Sequence, residues 1–324
     1  MIEDVNDLDA MMRAAGIEPE GELAGEGHQA GYIAVVGKPN VGKSTLMNRY
    51  LGEKVAIVSP KPQTTRDRQL GILTSPNAQI IFVDTPGIHA PHSKLGEYMV
   101  DVAAEAIQDA DVILFIVDVS QMPGESDRLI AEQLRKSASE TPLVLAMNKG
   151  DLIKPGQALP HQAAYHELLP QAEPITISAS TGEGTDKLLR TIIGLLPEGP
   201  RYFPPDQITD VQVRDNVADL IREKVLHLFA QEIPHSVAVQ VDEFKERGDN
   251  LTYIAATIYV ERDSQKGILI GRGGQMLKRI GELARPELEE ILGTKVYLEL
   301  WVKVLKNWRK DEKALRRLGF RKDK

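Results

Sequence analysis

Tyr32-Ile33-Ala34-Val35-Val36-Gly37-Lys38-Pro39-Asn40-Val41-Gly42-Lys43-Ser44-Thr45-Leu46 is the stretch whose reading decides the fold. A short run that is apolar on both faces leads into GxxxxGKS, and a helical pattern follows. The glycines allow a tight loop whose backbone N–H groups point inward at phosphate oxygens. The helix adds its positive N-terminal end. In that setting Lys43 bridges the β- and γ-phosphates and the Ser44 hydroxyl ligates Mg²⁺. Gly37, Lys38, Pro39, Asn40, Val41, Gly42, Lys43, Ser44 and Thr45 are thus the expected phosphate-binding residues. The alternative is a chance glycine-rich turn, against which the flanking strand and helix weigh. The motif calls for a nucleotide and leaves the base open.

Further along, Gln79–Asp84, Val112–Asp118, Leu143–Asn148 and Ile175–Ser178 repeat the plan of an apolar run ending in a polar residue. They read as buried parallel strands. Helical patterns at Lys43–Leu51, Leu95–Ala110, Glu125–Ser137, Leu159–Leu168 and Gly184–Leu195 alternate with them, which predicts an α/β domain with a parallel-rich sheet. Ligands of such sheets bind at the carboxyl ends of the strands, where the remaining motifs fall.

Asp84-Thr85-Pro86-Gly87 ends one of these strands. Its carboxylate can hold Mg²⁺ through a water opposite Ser44, and the Gly87 N–H can meet the γ-phosphate. Asn148-Lys149-Gly150-Asp151 ends another. Guanine presents N1–H and N2–H₂, and Asp151 can accept from both; adenine offers no such donor pair on that edge. Lys149 can lay its stem over the base, and Asn148 can tie neighbouring loops. A backbone N–H of Ser178-Ala179 is the expected donor to guanine O6. Between the first helix and the QIIFVD strand, Gln63-Thr64-Thr65-Arg66-Asp67 reads as a loop whose threonine, Thr65 in preference to Thr64, ligates Mg²⁺ while the γ-phosphate is present. Ser44, Thr65 and Asp84 form the expected metal set.

Composition bounds the rest. The chain has 324 residues, 39 Lys+Arg, 47 Asp+Glu and no cysteine. This length predicts about two domains, and the missing thiols exclude disulfides and thiolate metal sites. No long uncharged apolar run is present, and the acidic start does not read as a signal peptide, so a cytoplasmic protein is expected. The net charge of −8 is uneven: −7 over residues 1–30, −4 over 31–198 and +3 over 199–324. Residues 1–30 read as an acidic, disordered extension with a short helical pattern at Asp7–Ala15. Pro197, Pro200, Pro204 and Pro205 mark a linker, taken as 199–210. Residues 211–324 then read as a helix (Val211–Gln231), two strands (Val237–Arg247, Leu251–Glu261), a helix–glycine loop–helix (Ser264–Leu292), a strand (Lys295–Val304) and a basic helix (Asn307–Leu318).

The glycine loop there is Gly271-Arg272-Gly273-Gly274. Lacking side chains at its glycines, it lets a nucleic-acid backbone lie against the helix ends. Arg272 is placed for phosphate, with Lys278 and Arg279 further along the next helix. Ile268, Ile270 and Ile280 are the expected apolar lining for bases. The last 22 residues carry a net of +7, which suits RNA phosphate or an anionic membrane surface. Trp301, on a strand, reads as core.

Taken in order, these motifs resemble the translation-factor-related class of P-loop GTPases, and this resemblance fixes GTP over ATP. The glutamine that orients water in Ras-like enzymes is replaced here by Ile88; His89 and His92 read as exposed loop histidines. PNVGKS with TTR is similar to the potassium-assisted GTPases. That adds Asn40, as a K⁺ ligand, to Lys43 and Thr65 as catalytic residues, and implies slow intrinsic turnover stimulated by K⁺. The Gly271–Gly274 loop resembles the GXXG loop of a type II KH domain, a small α+β RNA-binding fold. PNVGKS, QTTRD, DTPG, NKGD and ISAS followed by a KH domain resemble the Era family over about residues 31–320; the acidic extension has no counterpart in that pattern. The resemblance implies GTP/GDP and Mg²⁺ as ligands, 16S rRNA near its 3′ end and the 30S subunit as partners, a role in small-subunit assembly, a monomer, and peripheral association with the inner face of the cell membrane. Ordering of the Thr64/Thr65 loop by GTP and Mg²⁺ leads, by linkage, to the further expectation that RNA binding is gated by nucleotide state. The rival readings are an RNA-modification GTPase, for which no second catalytic cluster appears, and a membrane-associated signalling GTPase.

Overall fold

The computed structural model describes residues 27–321 except 58, 60, 62–63, 89–90, 92, 138–139 and 249. The Asp7–Ala15 pattern, Gln63, His89 and His92 lie outside the described residues. The chain divides into two compact units. The first is built from the described residues within 27–56, 65–88 and 99–210, the second from those within 57–64, 91–98 and 211–321.

The first unit has a six-stranded sheet of β1 (Gln29–Val36), β2 (Gln69–Thr74), β3 (Ala78–Asp84), β4 (Val112–Asp118), β5 (Leu143–Asn148) and β6 (Glu173–Thr176), in the order β2-β3-β1-β4-β5-β6. Five strands run parallel. β2, to which the sequence pattern assigns no element, is an antiparallel edge strand paired with β3. Alternate residues of β1 feed two cores. Ile33 and Val35 pack with Leu46, Met47 and Tyr50 of α1 (Lys43–Leu51) and with Leu188, Leu189 and Ile192 of α5 (Thr185–Leu195). Ala34 and Val36 pack with residues of α2 (Lys94–Gln108), α3 (Glu125–Ser137) and α4 (Ala158–Leu168). This two-sided burial is why the strands read as continuous apolar runs.

Residues 197–210, expected in large part as a free linker, are tied to this unit. The Ala30 N–H donates to Pro197 O at 3.0 Å, and Gly199 N–H to His28 O at 2.9 Å. Gln79 clasps the backbone of Tyr202 and Phe203. Gly71 bridges Thr209, and the Ile72 N–H donates to Ile208 O at 2.8 Å, so the tract pairs with the outer edge of β2. The prolines break helix, as expected, but they leave the carbonyls free to accept.

In the second unit β7 (Ala238–Glu246), β8 (Leu251–Val260) and β9 (Lys295–Val304) form one sheet, antiparallel between β7 and β8 and parallel between β8 and β9. The parallel pair needs a crossover. It is supplied by α8 (Asp263–Ile270) and α9 (Gln275–Leu292). With α6 (Val213–Leu228) these helices pack on one face, where Ile254, Ile258, Val296 and Val302 meet Leu220, Leu269, Ile280 and Leu288. α7 (Ile233–Ser236) is one turn. The expected terminal helix Asn307–Leu318 is broken. A 3₁₀ turn at Trp308–Lys310 precedes α10 (Glu312–Arg317), because the Asp311 carboxylate caps the Lys313 and Ala314 N–H groups.

Candidate functional site

The phosphate loop leaves β1 and enters α1 with Gly42 at φ +103°. A Cβ there would stand 2.2 Å from Asn148 Nδ2, so both conformation and close approach require glycine. Asn40 is also left-handed, at φ +63°, and exposed. The Lys43 ammonium is buried against Gly37 O (3.2 Å) and Lys38 O (3.3 Å). Burial pulls its pKa down, while the Asp84 charge opposes the shift. Lys38 contributes backbone to the loop, but its side chain turns away to Asp127 at 2.8 Å.

Ser44, Thr65 and Asp84, 40 residues apart at the extremes, meet at one point. The Ser44 hydroxyl donates to Asp84 Oδ2 at 2.8 Å, the Thr65 hydroxyl donates to the same oxygen at 3.0 Å, and the two hydroxyls are 3.4 Å apart. Thr64 instead donates to Lys61 O at 2.7 Å. Among the described residues, Asp84 Oδ1 is buried with no hydrogen-bond partner. Burial raises the Asp84 pKa, against Lys43 and the two hydroxyls. Hard oxygen donors with an unsatisfied carboxylate oxygen fit Mg²⁺, whose charge would favour the ionised carboxylate. Ile88 is buried in the core and cannot orient a water.

At the base-binding end Asn148 does what its position implied. Its Nδ2 donates to Val41 O at 2.7 Å, and its Oδ1 accepts the Ala179 N–H at 2.8 Å. The Ala179 N–H is held by Asn148, and the Ser178 N–H by Glu183 O. A base would have to share or displace one of these acceptors to take either N–H on guanine O6. Asp151 is exposed at the start of a short 3₁₀ turn.

Sequence reasoning missed three positioning residues. Asp118 ends β4 and holds the Lys149 ammonium at 2.7 Å. Burial alone would raise its pKa, but hydrogen bonds from Lys149 and Ser120 hold it below the usual carboxylate range. Its place at a strand end, like those of Asp84 and Asn148, was the available signal. Asn48 pins the backbone of Val55 and Ala56. Arg49 donates to Ala179 O and Ser180 O. Nothing in a helical pattern distinguishes these two from solvent-facing polar residues.

In the second unit Gly271, Arg272, Gly273 and Gly274 join α8 to α9. Arg272 is exposed, and all three glycines have positive φ. Lys278 and Arg279 are exposed and share Glu282, at 3.8 and 3.6 Å. Ile268 is 54% exposed and lines a cavity of about 400 Å³ with Phe229, Ile233 and Arg262, while Ile270 is half-buried. Ile280 is corrected: it is fully buried against the sheet and lines no groove. Trp301 is corrected in the other sense, since it is 56% exposed while Trp308 is fully buried.

Comparisons with known proteins find relatives of both units. A family model described as 50S ribosome-binding GTPase matches residues 32–149, and one described as KH domain matches 232–309. GTPase Era of Geobacter metallireducens is 51% identical over 293 residues, covering 90% of this chain and 98% of its own. GTPase Era of Staphylococcus haemolyticus is 47% identical over 296 residues, covering 91% and 98%. A crystal structure of Era in complex with MgGDPNP and nucleotides 1506–1542 of 16S ribosomal RNA aligns with TM-score 0.87 and 45% identity, over 90% of this chain and 99% of that one. A substituted Aquifex aeolicus Era bound to GDP and AlF₄⁻ aligns with TM-score 0.86 and 44% identity, over the same shares.

Proposed function

The chain belongs to the Era family of GTPases, and from that premise we propose that it binds GTP and GDP with Mg²⁺, hydrolyses GTP slowly by itself, and in its GTP state binds 16S rRNA near the 3′ end during assembly of the 30S subunit. The meeting of Ser44, Thr65 and Asp84 around an unpaired buried carboxylate oxygen carries the nucleotide half of this reading. The exposed Gly271–Gly274 loop carries the RNA half.

Each residue has a definable task. Lys43 holds the β- and γ-phosphates, and the backbone N–H groups of Gly37–Thr45 cradle them. Ser44, Thr65 and Asp84, the last through a water, hold the Mg²⁺, which neutralises charge developing on the phosphates. The Gly87 N–H faces the γ-phosphate. Asp151 accepts from guanine, Lys149 is kept over the base by Asp118, and Asn148 joins phosphate loop and base loop. Asn40 helps hold K⁺; equal rates in K⁺ and Na⁺ at matched ionic strength would remove that role. Because Thr65 is a ligand only while the γ-phosphate is present, its loop reports nucleotide state, and linkage makes RNA affinity depend on that state.

The chain acts in the cytoplasm as a monomer. Among the described residues no helix is long and apolar enough to cross a membrane; sedimentation with anionic vesicles tests peripheral attachment through the basic C-terminal segment. The deciding experiment titrates the protein with an RNA copying the 3′ end of 16S rRNA, in GDP and in a non-hydrolysable GTP analogue. Tighter binding with the analogue is expected. Equal affinity refutes the coupling, and binding indifferent to sequence refutes the RNA target.

A further inference from the structure

The sheet of the second unit has a face that the glycine loop does not use. In β9 the even-numbered Val296, Leu298, Leu300 and Val302 pack towards the helices. Lys295, Tyr297, Glu299, Trp301 and Lys303 alternate with them and so turn the other way. Tyr297 is 60% exposed and Trp301 is 56% exposed. Tyr253 stands across from Tyr297 in register, their ring centres 5.9 Å apart and 24° from coplanar. The Arg247 guanidinium lies 4.2 Å from the Tyr253 ring centre. Three aromatic side chains thus stand on one sheet surface, exposed at Tyr297 and Trp301 and covered by Arg317 toward Tyr259.

The chemistry of that surface favours one kind of occupant. The outward residues of β9 are aromatic or charged, and none is aliphatic, which is unlike the continuous apolar patch of a protein-docking face. Lys245, Arg247 and Lys303 stand around the rings. The acids of the face are engaged: Glu299 accepts the Tyr253 hydroxyl at 2.7 Å, Glu243 pairs with Lys245 at 2.7 Å, and Asp242 accepts the Thr257 hydroxyl at 2.6 Å. Flat, wet rings flanked by cations stack unpaired bases, whose π-faces any sequence supplies.

We propose that this face is a second RNA-contacting surface, on the side of the sheet opposite α8 and α9, where Trp301 and Tyr297 each stack an unpaired base. It rests on the RNA reading above and extends it beyond the glycine loop. Stacking carries this contact more than charge does, so it is less salt-sensitive than phosphate contacts.

The test uses the full chain and RNA of the sequence 1506–1542 of 16S rRNA, in the GTP-analogue state. The protein has two tryptophans, and Trp308 is fully buried, so RNA-induced quenching of indole emission reports Trp301. Quenching is expected in the wild type and lost in Trp301→Phe. Trp301→Ala and Tyr297→Ala should each weaken binding by about 5- to 150-fold, with Trp301→Phe, which keeps a ring, close to wild type. Unchanged thermal melting and RNA-free GTP hydrolysis would show that the variants fold. If the wild type binds but the alanine variants bind equally well and emission does not change, the face serves another partner, such as a protein, and the proposal is overturned. If the wild type does not bind this RNA, the broader RNA reading fails with it.

Discussion

The two glycine loops of this chain use glycine for opposite reasons. In the phosphate loop the neighbours leave no room: a Cβ on Gly37 would stand 2.4 Å from Ile116 O, and one on Gly42 2.2 Å from Asn148 Nδ2. In the second loop a Cβ on Gly273 or Gly274 would meet nothing within 4 Å among the described residues, and only positive φ restricts the residue. The first loop is walled in by its own protein and fits a ligand that is enclosed. The second is bare at Gly273 and Gly274 and fits a partner laid against it. Packing fixes the first throughout; in the second it reaches only Gly271, where a Cβ would stand 2.7 Å from Met276 Cγ, and conformation alone fixes Gly273 and Gly274.

This contrast breaks most sharply at Gly42. Gly42→Ala should displace Asn148 or the loop and lower GTP affinity by about 10²-fold or more, as read by mant-nucleotide titration. Binding within a few-fold of wild type would mean that the loop is not held by packing. Next comes Asp84→Asn, which should raise the Mg²⁺ concentration for half-maximal hydrolysis by about 10- to 100-fold. The same variant carries a stability test. Burial raises the Asp84 pKa, so its contribution to the metal-free fold is full below the ordinary Asp range and lost as pH rises through the raised value. At pH 7 without metal and nucleotide, Asp84→Asn should therefore melt about 2–4 °C higher than wild type. A lower melting temperature would mean that the carboxylate is well compensated without metal.

Smaller effects belong to the open loop. Gly273→Asp places a carboxylate where phosphate is expected, and should weaken RNA binding about tenfold while GTP turnover stays unchanged. Its fold should survive, because the site is open and Asp tolerates positive φ better than most residues. Smallest is Glu282→Gln, which frees Lys278 and Arg279. Stability should change by no more than about 0.5 kcal/mol, and RNA affinity should rise slightly, as filter binding would read.

What could be read from the sequence was whatever chemistry ties to fixed spacing. GxxxxGKS, DTPG and NKGD each place a polar group at the end of an apolar strand, and the fold gathers strand ends on one side of the sheet. Strand β2 escaped notice because Gln69-Leu70-Gly71-Ile72-Leu73-Thr74 is short, holds a glycine and lies at an edge, where the apolar signal is weaker. Asn48 and Arg49 escaped because local pattern does not say which polar side chain on a helix meets a distant backbone. Trp301 differs from its expected place in the core for the same reason: hydrophobicity alone does not tell which ring the fold covers. Ile280 shows the converse, an apolar residue beside a binding motif that serves only the core.

The pairing of residues 208–210 along β2 has a practical consequence for anyone dividing the chain. Left bare, the outer edge of β2 would offer unpaired N–H and C=O groups as a template for any extended peptide, including another copy. A fragment ending at residue 198, where the motifs stop, would expose that edge and should self-associate. One ending at residue 210 would keep the Ile72–Ile208 hydrogen bond and the Asp210 carboxylate on the Leu70 N–H, and should stay dispersed.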